Sequence, residues 1–430
     1  MKTRTWLLLP LPLLVACVLS VEGEGPSASG GTSTSASGGG GSGAGSGAGE
    51  PGTGGEDAPG GAGGAGGVGG EGGTGGAGGG PVVPWWDNAY ARRVRIEINH
   101  TGNEVLEEFP LMVRISAQAI SSLGQVREDG RDLRFVVEGQ QAALPYEIEQ
   151  WDDDLDSDES AVLWVRVPRI EPGQSRIWLY YGNDSAANVQ APPEVWAGFL
   201  GVYHFKEDNE LRDSRGVYNA LENGGPTTTN GPMARAMSFN GTNQHLILEN
   251  INGISAFQGA TRTIEAWFQT NATGVITLIN QENACRGWAL ELRDAPAGVT
   301  GTFTAAANGC GPGQKTPYEL HSTGVSPGMV RDNQWHYATL VIDRNAGFMR
   351  LYVDGVLRNE RTGINQGLNA EAQTGWIGAA FGPVDRFNGQ LDEIRIANAA
   401  RSAGWILAQY RSMRAQMATL SGPVEQRPAP

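Results

Sequence analysis

The sequence predicts an all-β protein: two antiparallel β-sandwich domains behind a disordered glycine-rich tether, with one short helix near the C-terminus. Three observations predict it. Glycine is crowded into the segment from Gly23 to Gly80, period-two alternation of apolar and polar residues recurs from Ala91 onward, and helical spacing of apolar residues marks one short run, Ser402 to Met413.

The first element, residues 1–17, is an export signal. In MKTRTWLLLPLPLLVACVLS, Lys2 and Arg4 precede an apolar run from Trp6 to Ala16, far shorter than the roughly 20 residues a bilayer-spanning helix needs. Its end, Leu14-Val15-Ala16-Cys17, resembles the lipobox of bacterial lipoproteins. The resemblance implies cleavage before Cys17, lipidation of its thiol and attachment to the membrane; ordinary secretion with an incidental cysteine is the alternative. Acyl chains contribute about 0.8 kcal/mol per buried CH2, so several chains on one residue anchor firmly. Val18 stands where Asp would signal inner-membrane retention, which implies an outer-membrane or cell-surface location.

Residues 18–80 form the tether, rich in Gly, Ser, Ala and Thr; the whole chain holds 64 glycines in 430 residues. Such a composition buries too little apolar surface to offset chain entropy. A Gly-rich coil of about 60 residues has an end-to-end distance of roughly 45 Å and reaches on the order of 200 Å when taut.

Folded structure is expected from Pro81. In Arg93-Val94-Arg95-Ile96-Glu97-Ile98 the apolar residues share one strand face and the charged residues the other. Similar runs follow without an intervening long amphipathic helix, so residues 81–195 read as a sandwich. The series WWDNAYARRVRIEI, FPLMVRI, DLRFV, LPYEIEQW, AVLWVRVP and IWLYYGN resembles the bacterial domain of unknown function 2341. That resemblance implies a β-rich exported module and assigns no chemistry.

Residues 196–420 carry a second series: GVYHFKED, LRDSRG, AMSFNGTNQHLIL, TIEAWFQT, QWHYATLVID, MRLYVDGVL, GWIGAA and NGQLDEIRIANAARSAGWILAQY. It resembles the laminin-G-like jelly roll of the concanavalin A-like lectin and glucanase class. Within it, Asp354-Gly355 predicts a tight hairpin turn, and Ile406, Tyr410 and Met413 share one face of the short helix. Residues 421–430 are Pro-rich and are expected to be loose.

A net charge of −15 weighs against nucleic-acid binding, which needs clustered Lys and Arg. The stretch QWDDDLDSDES places six carboxylates in eleven residues. Read from Asp152 or from Asp154, it lacks the Gly and Glu that an EF-hand loop requires at its sixth and twelfth positions, so a solvated hairpin loop is expected, with weak calcium binding as the alternative. A glycosidase needs two carboxyls flanking the scissile bond. The nearest pattern, Glu147-Ile148-Glu149-Gln150-Trp151-Asp152, lies in the first sandwich and differs from the Glu-x-Asp-x-x-Glu of the related glucanases. No Ser/His/Asp elbow accompanies the five histidines, and His204 and His336 are expected to be packed or hydrogen-bonded. No catalytic residue is therefore assigned.

In an exported chain with Cys17 lipidated, Cys285 and Cys310 are expected to form a disulfide, a zinc or catalytic thiol being the rival reading. The jelly-roll resemblance implies a structural calcium at Asp392, helped by Glu207, Asp208 or Asp213, against a hydrogen-bonding role for Asp392 alone. Arg286, Trp288 and Asn308, close in sequence to the cysteines, are the candidate ligand rim. The functional expectation is non-catalytic recognition of polysaccharide or envelope glycoprotein. The alternatives are an assembly protein that binds another envelope protein and a divergent glycoside hydrolase.

Overall fold

The computed structural model describes residues 83–116, 119, 126–127, 129–151, 160–206, 210–248, 261–281, 287–294, 298–306, 315–364, 374–380 and 382–429. The signal segment with Cys17, the tether, the acids from Asp152 to Glu159, Glu207, Asp208, Cys285, Arg286, Asn308 and Cys310 lie outside the described residues. No helix among those described is long and apolar enough to cross a membrane.

The first sandwich has two sheets. One orders its strands Ala418–Gln426, Arg92–His100, Gly173–Tyr181, Arg134–Val137 and Ala143–Leu144; the other has Leu106–Ser116, Ser160–Ile170 and Tyr146–Gln150. Val94, Ile96 and Ile98 point into the core, as alternation predicts. The three-stranded sheet differs: Ala161 to Val165 are all fully buried, as are Leu111, Met112 and Val113. Both of its faces are covered, so its strands read as continuous apolar runs instead of alternating ones.

The second sandwich is the predicted jelly roll. One sheet runs Thr227–Asn230, Arg235–Asn240, Asn388–Ala397, Thr261–Gln269, Trp335–Asp343, Phe348–Val353 and Val356–Thr362, with Phe199–Tyr203 also paired to Asn388–Ala397. The facing sheet runs Lys315–His321, Val299–Ala306, Gly287–Leu292, Ile276–Asn280, Gly375–Ile377, His245–Leu248 and Ala220–Asn223. Asp354 and Gly355 take φ angles of +52° and +76°, the left-handed pair that a tight hairpin turn demands.

The terminal helix, Ala403–Met413, wedges between the sandwiches. Ser402 caps it by accepting from Trp405 N at 3.0 Å. On one side Trp405 meets Phe109 edge-on at 4.8 Å, and Ser412 Oγ accepts from Met112 N at 2.8 Å. On the other, Tyr410 stacks on Trp267 at 5.7 Å and on Tyr337 at 6.2 Å. A continuous buried core therefore runs from Val94 through Trp164 and Trp196 to Tyr337, Ile406 and Ala418.

The chain's end corrects one expectation. Residues 421–426 are not loose: they complete Ala418–Gln426, a strand of the first sandwich paired antiparallel to Arg92–His100 with Ile98 opposite Ala418 and Ile96 opposite Leu420. Glu425 pairs with Arg93 at 2.7 Å, and that guanidinium lies 4.1 Å from the Trp178 ring. Pro423 and Gly422 gave the segment its loop-like composition. Proline is tolerated there because the strand is a sheet edge, and Gly422 takes a φ of +75° beside a register shift.

Candidate functional site

Charged residues from both sandwiches meet in a buried seam. Glu147 and Glu149 come from Tyr146–Gln150. The ladder to Ser160–Ile170 slips between Ile148 and Gln150, so Glu149 is the extra residue of a bulge, a device that re-aims a side chain. His204 and Lys206 follow the strand Phe199–Tyr203, and Glu393 and Arg395 lie on Asn388–Ala397. That strand is bulged too: its register shifts opposite Glu265 and Trp267, and Glu393 adopts a φ of +50°. Ordinary alternation would turn Asp392 or Glu393 outward; with the bulge, both are fully buried.

The seam is closely bonded. His204 Nδ1 bonds Glu393 Oε1 and lies 3.6 Å from Glu149 Oε2, while its Nε2 is 3.5 Å from Glu147 Oε2. The Trp164 indole donates to Glu149 at 2.6 Å, and the Trp196 indole donates to Glu147 at 2.6 Å. Lys206 donates to Glu147 and, at 2.8 Å, to the Ile148 carbonyl; Ser214 Oγ donates to Glu147 at 2.8 Å. Arg395 donates to Glu393, and its guanidinium sits 4.3 and 4.7 Å from the rings of Trp164 and Trp196. His204 lies against the same two indoles, stacked on Trp164 at 5.8 Å and tilted against Trp196 at 5.2 Å. Indole faces favour cations in such positions. A pocket of about 160 Å³, lined by Glu147, His204, Lys206, Arg212 and Ser214, leads from the surface to the seam.

Protonation follows from this geometry. Burial disfavours the Glu147 carboxylate, but Lys206 and His204 outweigh it and hold its pKa well below the usual range. Burial and then Glu393 push Glu149 up to about 7. Burial, Glu393 and Glu149 raise Asp392 well above a normal carboxyl. Burial opposes a charged His204, yet Glu393, Glu147 and Glu149 overcome it and raise its pKa to about 10.

A raised histidine stabilises the fold fully below its unfolded pKa, near 6.5, and loses that contribution as pH climbs through about 10. Glu149 acts in the same direction over a lower range, because its carboxylate becomes costly as pH rises from 4.5 towards 7. Urea midpoints are therefore expected to fall between roughly pH 7 and 10, and His204→Gln is expected to flatten that fall. A midpoint that holds steady across this range would show that His204 is neutral in the fold.

Of the ligand and metal residues expected from sequence, Trp288, Asp213 and Asp392 are among the described residues. Trp288 is fully exposed to the core and not to solvent, at 0% surface exposure. It packs inside the second sandwich and cannot form a ligand rim, because all six residues of the strand Gly287–Leu292 are buried. Asp213 commits both oxygens to the backbone: Oδ1 accepts from Val202 N and Arg215 N, and Oδ2 from Val217 N and Tyr218 N. Asp392 Oδ1 accepts from Glu393 N at 2.7 Å, while its Oδ2 is buried without a hydrogen bond. His336 is hydrogen-bonded between Asp354 at 2.9 Å and Asp332 at 3.1 Å. Glu149, Lys206, Glu393, Arg395, Trp164 and Trp196 were not foreseen as a group. The available signal was charge at inward positions of apolar strands, as in Ile394-Arg395-Ile396.

A second concavity of about 590 Å³ lies beside the terminal helix, lined by Arg114, Trp267, Gln334, Trp335 and Arg414. Trp335 is half-buried and Gln334 exposed. Arg114 reaches across from the first sandwich to the Met233 and Pro232 carbonyls at 2.5 and 3.2 Å.

Two family models agree with this architecture. A family model described as the concanavalin A-like lectin/glucanases superfamily matches residues 240–407, and one for domain of unknown function 2341 matches residues 129–215. No curated protein matches the chain. Among solved structures, the binding domain of Paraclostridial Mosquitocidal Protein 1 is 14% identical, with 52% of this chain and 53% of that one covered at a TM-score of 0.41. The receptor binding domain of botulinum neurotoxin C/D mosaic serotype is 15% identical, covering 50% and 51% at 0.39. The binding domain of botulinum neurotoxin DC in complex with SialylT is also 15% identical, covering 52% of each chain at 0.39. The chain thus spans about half the length of these solved chains. It carries a domain of unknown function 2341 followed by a concanavalin A-like jelly roll of the lectin and glucanase superfamily.

Proposed function

We propose that this chain is an exported, lipid-anchored recognition protein that binds carbohydrate, free or on a glycoprotein, without cleaving it. The observation that carries this reading is the groove beside the terminal helix. An indole face packs on the C–H surface of a sugar ring, and guanidinium and amide groups bond its hydroxyls; Trp335, Gln334, Arg114 and Arg414 supply both. The lipobox at Cys17 and the glycine-rich tether support a head that searches a volume beyond an envelope membrane. The acids closest to a hydrolase pair are otherwise engaged, Glu147 by Lys206, Trp196 and Ser214, and Glu149 by Trp164.

The mature chain is expected to retain glycans on an array, and Trp335→Ala is expected to weaken the best ligand by about tenfold or more while the chain stays folded. Retention of an envelope protein with no glycan bound would replace this reading with an assembly role. Release of reducing sugar by the wild type, lost in Glu147→Gln, would replace it with hydrolysis.

A further inference from the structure

We propose that the seam binds a divalent transition-metal ion, Zn2+ by its donor set, on Glu149, His204 and Glu393. These three residues are buried, and each offers a ligand atom, all within 4.8 Å of one another. Among the described residues they form the group that could hold a metal. One imidazole and two carboxylates suit zinc, whereas calcium takes six to eight oxygens.

The distances are near what such an ion needs. Tetrahedral bonds of 2.0–2.1 Å place donor atoms roughly 3.3 Å apart; His204 Nδ1 is 3.6 Å from Glu149 Oε2. The closer bond from Nδ1 to Glu393 Oε1 shares one proton, and replacing that proton with a larger cation opens it. The supporting groups stand where metal ligands need them. Trp164 orients the Glu149 carboxylate and Arg395 orients that of Glu393, as outer-shell donors do around bound metals.

An independent observation points the same way. Glu149 Oε1 has no hydrogen-bond partner although Glu149 is only 7% exposed. An unsatisfied buried oxygen of this kind is costly, and a cation bound to the Glu149 carboxylate satisfies it. The charges agree too. Glu147, Glu149, Asp392 and Glu393 face Lys206 and Arg395, with Arg114 near Glu149 and Glu265 near Arg395. On binding, the His204 imidazolium gives its proton to solvent and the freed nitrogen lone pair goes to the ion. The pocket lined by Glu147 and His204 reaches one of the three ligands. The ligands come from both sandwiches, so a bound ion ties them together.

The test is calorimetric titration of the chelator-treated, dialysed full chain with ZnCl2 at pH 7, in two buffers of different ionisation enthalpy. The expected result is one ion per chain, micromolar or tighter, with about one proton or more released. Glu149→Gln is expected to weaken binding at least tenfold with an unchanged melting curve, and Asp332→Asn, which alters the exposed His336 pair, is expected to leave it unchanged. Should Glu149→Gln fail to fold, the imidazole resonances of 15N-histidine-labelled wild type decide: Zn2+ must shift the buried, slowly exchanging ring. No binding, binding that survives Glu149→Gln, loss in Asp332→Asn, or shifts confined to exposed rings would each overturn the proposal.

Discussion

Glu393→Ala is expected to lower the unfolding free energy by about 3–5 kcal/mol, the largest effect of any single substitution in the seam. Glu393 is fully buried and is the partner of both Arg395 and His204. Removing it takes the directly bonded carboxylate from two buried cations in a low-dielectric interior. Its own carboxylate is held below the usual range by Arg395 and His204 against the opposing cost of burial. Urea unfolding followed by tryptophan fluorescence measures the loss directly, since Trp164 and Trp196 lie against the affected cations. Adding Arg395→Met to Glu393→Ala is expected to recover part of the stability, because an apolar side chain needs no partner there. A loss below about 1 kcal/mol for Glu393→Ala would show that the seam does not depend on its charges.

Deleting residues 418–430 is expected to cost on the order of 5 kcal/mol and to lower Tm by roughly 10 °C. The deletion strips the edge strand from Arg92–His100, removing its ladder bonds, the cover supplied by Ala418 and Leu420, and the Glu425 partner of Arg93. It also uncovers Ile96 and Ile98 along a new sheet edge, a template for association between chains. Thermal scans and light scattering of the truncated chain check both effects. A truncated chain that melts like the wild type and stays monomeric would show that the C-terminal strand is dispensable.

Much of the fold was legible because alternation is a local signal. Val94, Ile96 and Ile98 announced a half-buried strand, Asp354-Gly355 announced a turn, and Ile406, Tyr410 and Met413 announced a helix face, and each is found as such. What failed were inferences from composition or proximity. Pro423 and Gly422 made a paired edge strand look like a loose end, and Cys285 lent Trp288 a surface role that its complete burial denies.

The seam was illegible for a different reason. Most of its partners lie far apart in the chain, 59 residues for Lys206 and Glu147 and 189 for His204 and Glu393, and no local period reports such a meeting. Parity arguments also break at bulges. A strict strand reading sends Asp392 and Glu393 to opposite faces, whereas the left-handed turn at Glu393 buries both. The unbroken apolar run from Ala161 to Val165 was the one local sign that the first sandwich is covered on its outer face.

The two sandwiches, joined by the seam and the terminal helix, are expected to unfold as one body. Differential scanning calorimetry of the wild type at pH 6.5 tests it most directly. A single transition whose calorimetric and van't Hoff enthalpies agree is expected; two separable transitions, each with the enthalpy of one sandwich, would show that the sandwiches unfold independently.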